Sequence, residues 1–274
     1  MTEEGVIIPG PGGPLAGRLI GPTAPRLAVV VNAATGVPAG FYAAFARWLA
    51  EDRQAAVLIW DYRDFASSGD PRRSRATMAD WGIHDAAAAR DWLAARFPGL
   101  PLWVVGHSLG GLALPFQPGL EGVNRAIIVA AGPVNLSDHP FPLRAGIASV
   151  WHGHGPLLTA ALGYFPGKRL FLGADIPGPV FWQWRRWCAR RGSCLADPAM
   201  PPLASDALTA PVTLVAMADD AMVPPRAVWR LADWMPKAAV TRRLITPQEH
   251  GLAQIGHVAA FSARNRAVWP ALIA

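Results

Sequence analysis

The segment Gly106-His107-Ser108-Leu109-Gly110 sets a serine midway between two glycines. An apolar run, Leu102-Trp103-Val104-Val105, leads into it, and a short apolar helix starting at Leu109 is expected to follow. A strand that turns this sharply into a helix presses the residues two before and two after the apex together, so both must be small. The backbone at the apex is strained, and the strain lifts the serine hydroxyl out of the sheet. Such a hydroxyl is a weak nucleophile until a neighbouring base takes its proton. The chemistry implied is attack on a carbonyl, with the developing oxyanion held by backbone N–H groups, the first being that of Leu109 where the helix begins. Later in the chain, Val-Ala-Met-Ala-Asp219-Asp220 supplies two candidate acids, and His250 and His257 are two candidate bases. His107 adjoins the serine and reads as a packing residue of the turn; His84 reads as helical.

These residues need elements to position them. Continuous apolar runs at 26–33, 55–64, 102–107, 124–131 and 210–220 predict strands buried on both faces. Helical spacing places Phe41, Phe45, Trp48 and Leu49 on one face of a helix over 41–52, and a second helix is expected from 78 until the Pro98-Gly99 stop. Late helices are expected around 225–235 and 258–269. The first twenty residues, cut by Gly and Pro, read as two antiparallel strands. Buried strands alternating with helices define an α/β fold with a mainly parallel sheet and helices on both faces. Residues 133–208 break the rhythm. They are rich in Pro, Gly and aromatics, among them Trp151, Phe171, Trp184 and Trp187, and are too long for an ordinary connection. We read them as a helical cap between two parts of one core, 1–132 and 209–274.

With these pieces in place the chain resembles the α/β-hydrolase superfamily, and within it a bacterial group of predicted hydrolases similar to serine aminopeptidases and monoacylglycerol lipases. The shared stretches are "ATGVPAGFY" at 34–42, "DYRDFASSG" at 61–69, "DWGIHD" at 80–85, "GHSLGG" at 106–111, "LGYFPGKRLFLG" at 162–173 and "QIGH" at 254–257. The resemblance implies the chain order serine, acid, histidine, hence Ser108 as nucleophile, His257 as base and Asp220 as acid, since D-x-x-V-P is the usual spacing; Asp219 and His250 are the rivals. Many relatives carry His-Gly where this chain has Asn32-Ala33, and the second oxyanion N–H is expected from Ala34, with Ala33 next. Asp64 stands where a glycine is common, so that loop is expected to differ in shape, and "HVAAF" softens an aromatic pattern beside the base.

Composition bounds the rest. Hydrophobic residues make up 52% and charged residues 16%, which indicates a sizeable core rather than disorder. A net charge of +6 raises the question of nucleic acid, but the arginines are scattered and no nucleic-acid motif is present. The two cysteines make no disulfide framework, and an acidic start without an apolar region gives no signal peptide, so a cytoplasmic protein is expected. No apolar run reaches membrane-spanning length. His139, His152 and His154 lack a carboxylate or cysteine at helpful spacing, so no metal is expected, and no Gly-rich phosphate loop implies a cofactor. Trp182, Trp184 and Trp187 alternate with Arg185, Arg186, Arg190 and Arg191 as in an amphipathic helix. The expectation is a serine esterase forming an acyl-enzyme on Ser108 with a small or apolar acyl substrate. An acyltransferase using the same three residues, and a non-catalytic small-ligand receptor on the same fold, are the alternatives.

Overall fold

The computed structural model describes all 274 residues except 171 and 191, so Phe171 and Arg191 lie outside the described residues. In chain order the main elements are strands β1 (Thr2–Gly10), β2 (Gly13–Gly21) and β3 (Leu27–Asn32), helix α1 (Ala43–Arg53), β4 (Ala55–Trp60), helix α2 (Ala86–Arg96), β5 (Leu102–His107), helix α3 (Leu109–Leu112) and β6 (Arg125–Val129). A long segment follows with helices α4 (Leu143–His152) and α5 (His154–Leu162), the two-residue strands β7 (Tyr164–Phe165) and β8 (Ile176–Pro177), and helix α6 (Gly178–Ala189). The chain then returns through β9 (Val212–Met217), helix α7 (Pro225–Arg230), β10 (Val240–Ile245) and helix α8 (Trp269–Ile273).

Eight strands form one sheet in the order β1-β2-β4-β3-β5-β6-β9-β10. β1 and β2 form an antiparallel hairpin, β2 pairs antiparallel with β4, and every pairing from β4 to β10 is parallel. The apolar runs make the central strands: β3, β4 and β9 are buried at every residue, as parallel strands covered on both faces must be. This is the α/β-hydrolase fold.

Three elements differ from the sequence expectation. β10 was not expected, because Val-Thr-Arg-Arg-Leu-Ile carries two arginines. It is an edge strand paired only with β9 and largely exposed, so it needs no continuous apolar run. The helix expected from residue 78 opens with a π-helical turn over Asp80–Asp85 before α2. Its Gly82 backs onto the serine turn, where an added Cβ would lie 2.4 Å from that of Ala113. The helix expected over 258–269 is a series of 3-10 turns, and only Trp269–Ile273 is α-helical.

Candidate active site

The elbow behaves as small-residue packing requires. Ser108 has φ 51° and ψ −112°, a left-handed backbone costly for a residue with a Cβ, and its N–H is tied to the Val129 carbonyl at 3.1 Å. A Cβ on Gly106 would lie 2.5 Å from the Gly110 carbonyl oxygen, and one on Gly110 would lie 2.3 Å from that of Asn32. Glycine at both positions is therefore a steric requirement of the turn. α3 is a single turn of four residues, so any help to an oxyanion at this end comes from the Leu109 N–H itself rather than from a long helix dipole.

Ser108 Oγ lies 3.1 Å from His257 Nε2, and His257 Nδ1 lies 2.8 Å from Asp220 Oδ2. The second oxygen of Asp220 accepts the N–H groups of Met222 at 2.8 Å and Val223 at 2.9 Å. Three nitrogen groups thus converge on this buried carboxylate, one of them the imidazole. Since the carboxylate only accepts, Nδ1 carries the ring proton and Nε2 is free to accept the serine's.

Asp219, the rival acid, is engaged elsewhere. Its carboxylate accepts the N–H of Ile255 at 2.8 Å and of Gly256 at 3.0 Å, the two residues before His257. The consecutive aspartates thus divide the work: one holds the ring of His257, the other the backbone that carries it. His250, the rival base, sits on a 3-10 turn and makes no hydrogen bond to Ser108, Asp219 or Asp220 among the described residues.

Ala34 does not fit the expected donor role. Its N–H is already given to the Tyr42 hydroxyl at 2.9 Å, and its carbonyl accepts from the Val37 N–H at 3.2 Å. The carbonyl of Ala33 accepts the Tyr62 hydroxyl at 2.7 Å. The next residue, Thr35, lines the cavity beside Ser108, Leu109 and His257. Among the described residues neither the Thr35 N–H nor the Leu109 N–H has an acceptor. Sequence spacing could not detect that the Ala34 N–H is taken, because this depends on Tyr42 reaching back across the loop.

The stretches that carry the resemblance brace this loop. Tyr62 stacks on Trp81 with ring centroids 5.0 Å apart and planes 6° apart. The Trp81 indole donates to the Arg63 carbonyl at 3.0 Å, and the Arg63 guanidinium holds buried Asp85 through Nε at 2.7 Å. Asp61 accepts the N–H of Ala39 at 2.7 Å, and burial pushes its carboxyl above the usual range. Asp64 takes a left-handed backbone, φ 55°, a conformation that glycine adopts more readily than residues with a Cβ.

His107, expected to be a packing residue, is fully buried and hydrogen-bonded at both ring nitrogens: Nδ1 lies 2.7 Å from the Tyr42 hydroxyl and Nε2 3.0 Å from the His257 carbonyl. Burial, then the neighbouring His257, pushes its pKa well below the usual histidine value, so it is neutral.

The serine opens into a cavity of about 480 Å³. Its walls are mainly apolar, with Ile147, Val150 and Trp151 from α4 and Trp184, Trp187 and Cys188 from α6. On α6, Trp187 is buried and the arginines are anchored within the protein: Arg186 pairs with Asp197 at 3.3 Å, and Arg185 donates to the Trp151 carbonyl. Among the described residues no three His, Cys, Asp or Glu side chains converge as a metal site, and no helix is long and apolar enough to cross a membrane.

A strand–serine–helix elbow at the end of the fifth strand of a mostly parallel eight-stranded sheet is the arrangement of the α/β-hydrolase fold. Residues 23–150, a little under half of the chain, match the family described as serine aminopeptidase, S33. No curated protein matches the sequence. Among solved structures, a thermophilic esterase from Thermogutta terrifontis is similar at 17% identity and a TM-score of 0.60, covering 98% of this chain and 96% of its own. Rv0554 from Mycobacterium tuberculosis is similar at 18% identity and a TM-score of 0.64, with 98% and 97% covered. An esterase from Pyrococcus furiosus is similar at 16% identity and a TM-score of 0.63, with 99% and 88% covered.

Proposed function

We propose that this protein is a serine hydrolase that cleaves esters of apolar acyl groups through an acyl-enzyme on Ser108. The observation that carries the reading is the hydrogen-bonded series Ser108–His257–Asp220 opening into an apolar cavity. Ser108 Oγ attacks the ester carbonyl while His257 Nε2 takes its proton, and Asp220 stabilises the imidazolium and keeps its tautomer. The Leu109 and Thr35 N–H groups receive the oxyanion. One such donor is worth about 10²–10³ in rate where it has been removed from other hydrolases. His257 then gives its proton to the leaving alcohol, and water, activated by the same imidazole, releases the acid. The segment between β6 and β9 serves as the cap of the cavity, since α4 and α6 supply its apolar walls. Those walls suit the acyl side of the substrate. The esterases among the structural neighbours are consistent with this reading.

The test pairs a fluorophosphonate probe with p-nitrophenyl esters of increasing acyl length. Wild type is expected to label and turn over, with neither surviving in Ser108→Ala. Absence of labelling in wild type would remove the hydrolase reading, and labelling without turnover of any ester would favour a ligand receptor.

A further inference from the structure

Four groups around the elbow form one directed chain of hydrogen bonds. The Ala34 N–H points at the Tyr42 hydroxyl (2.9 Å), the Tyr42 hydroxyl contacts His107 Nδ1 (2.7 Å), and His107 Nε2 contacts the His257 carbonyl (3.0 Å). The proton positions follow from chemistry alone. A carbonyl only accepts, so Nε2 of the neutral ring bears its single proton and Nδ1 is a lone pair. Tyr42 therefore spends its one proton on Nδ1 and uses its oxygen to accept from Ala34. Each of these donors is used once, and all run the same way, from the loop beside the oxyanion to the backbone of the base.

Packing does not require this chemistry. Tyr42 meets Phe41, Phe261 and the His107 ring edge-on, and a phenylalanine would keep those contacts. Both side chains are essentially unexposed, 1% for Tyr42 and 0% for His107. Neither lines the cavity. A buried hydroxyl and imidazole that touch no substrate are costly unless each polar atom is matched, and here each is matched to an element of the site. We propose that Tyr42 and His107 are positioning residues that lock the oxyanion loop to the loop of the general base. The Thr35 N–H and the His257 ring are thereby held in one fixed relation to Ser108. The proposal rests on the serine-hydrolase reading above. Its consequence is kinetic: a misplacement of about 1 Å between donor and base costs about 10²-fold in rate, while the apolar contacts that bind the acyl group are untouched.

The experiment uses Tyr42→Phe, His107→Asn and His107→Gln, singly and with Tyr42→Phe added to each His107 variant. Asparagine places an amide oxygen near the Nδ1 position, so it keeps the Tyr42 link and loses the His257 link. Glutamine reaches the Nε2 position, so it keeps the donor to His257 and leaves Tyr42 without an acceptor. kcat is measured per fluorophosphonate-labelled site on a p-nitrophenyl ester, below the melting temperature of each variant. Each single variant is expected to lose about 10- to 100-fold in kcat with KM within about twofold of wild type. Adding Tyr42→Phe to either His107 variant, where the chain is already cut, is expected to lower kcat by less than about twofold more. Tyr42→Phe with wild-type kcat, or losses that multiply in the double variants, would overturn the coupling and leave only packing. If the His107 variants do not fold, Tyr42→Phe, which removes one oxygen, decides through its split between kcat and KM. A wild type with neither labelling nor turnover would overturn the hydrolase reading and the coupling together, whereas an active wild type with an indifferent Tyr42→Phe overturns the coupling alone.

Discussion

Adjacent aspartates with different partners make the sharpest contrast at the level of single residues. Asp220 faces the ring of His257 and Asp219 faces two backbone N–H groups ahead of it. Asp220→Asn keeps the shape but presents an amide to Nδ1, which favours the wrong tautomer; the expected loss in kcat is about 10⁴-fold, the size seen for the equivalent change in other serine hydrolases. Asp219→Asn keeps one acceptor oxygen and alters only the support of the loop, so a loss of about 10-fold in kcat with little change in KM is expected. Steady-state kinetics of the two variants side by side checks this division; equal losses would mean that the assignment of acid and support is wrong. Gly110 gives a second residue-scale prediction. Its added Cβ would meet the Asn32 carbonyl at 2.3 Å, so Gly110→Ala is expected to destabilise by about 3 kcal/mol or more and to abolish probe labelling, as read by thermal denaturation and gel fluorescence.

Elements matter here chiefly through the walls they give the cavity. α4 contributes Ile147, Val150 and Trp151 on one side, and α6 contributes Trp184, Trp187 and Cys188 on another. Filling that space should shorten the acyl group accepted without disturbing the reacting atoms. Ile147→Trp is therefore expected to shift the optimum in a p-nitrophenyl ester series to shorter chains, raising KM for the longest esters about 10-fold or more while leaving kcat on the acetate ester within about twofold. An unchanged length profile would show that the acyl group lies elsewhere. The strands were legible where burial is two-sided, because β3, β4 and β9 leave no room for polar residues. β10 was not legible, since one neighbour and an exposed face suffice to hold it and Arg242 and Arg243 hide its alternation.

For the molecule as a whole, buried titratable groups set the pH range of stability. Burial pushes the thiols of Cys188 and Cys194 up from 9.0 to about 12. Between those values the unfolded chain releases thiol protons that the folded chain retains, so stability falls as pH rises, by up to about 1.4 kcal/mol per pH unit for each thiol. Buried Tyr42 and Tyr62, also pushed upward, act in the same direction at higher pH. On the acid side His107 stays neutral when folded and takes a proton when unfolded, so its contribution is present above about pH 6.5 and is lost as pH falls below it. Melting temperatures measured from pH 5 to 10.5 should therefore decline at both ends. Cys188→Ala with Cys194→Ala is expected to flatten the alkaline side, and a melting temperature that stays level above pH 9 in wild type would contradict the buried-thiol account.

The elbow and the two-sided strands are local matters of size and hydrophobicity, whereas the chain order of the serine's partners is what the family resemblance implies. Gly106, Ser108 and Gly110 announce a turn that only small residues permit, and unbroken apolar runs announce a covered sheet. The sequence by itself therefore determined the fold class and the candidate nucleophile. Which aspartate faces His257, which backbone N–H remains free at the oxyanion, and why His107 is a histidine were decided only in three dimensions. Asp219 and Asp220 are adjacent in the chain, and only the path of the loop bearing residues 255–257 sets them on different targets. Ala34 and Thr35 are equally able to donate until Tyr42 folds back and takes one of them. Hydrogen bonds between groups remote in sequence depend on orientation at the level of an ångström, and no residue type or spacing encodes that until the packed chain fixes it.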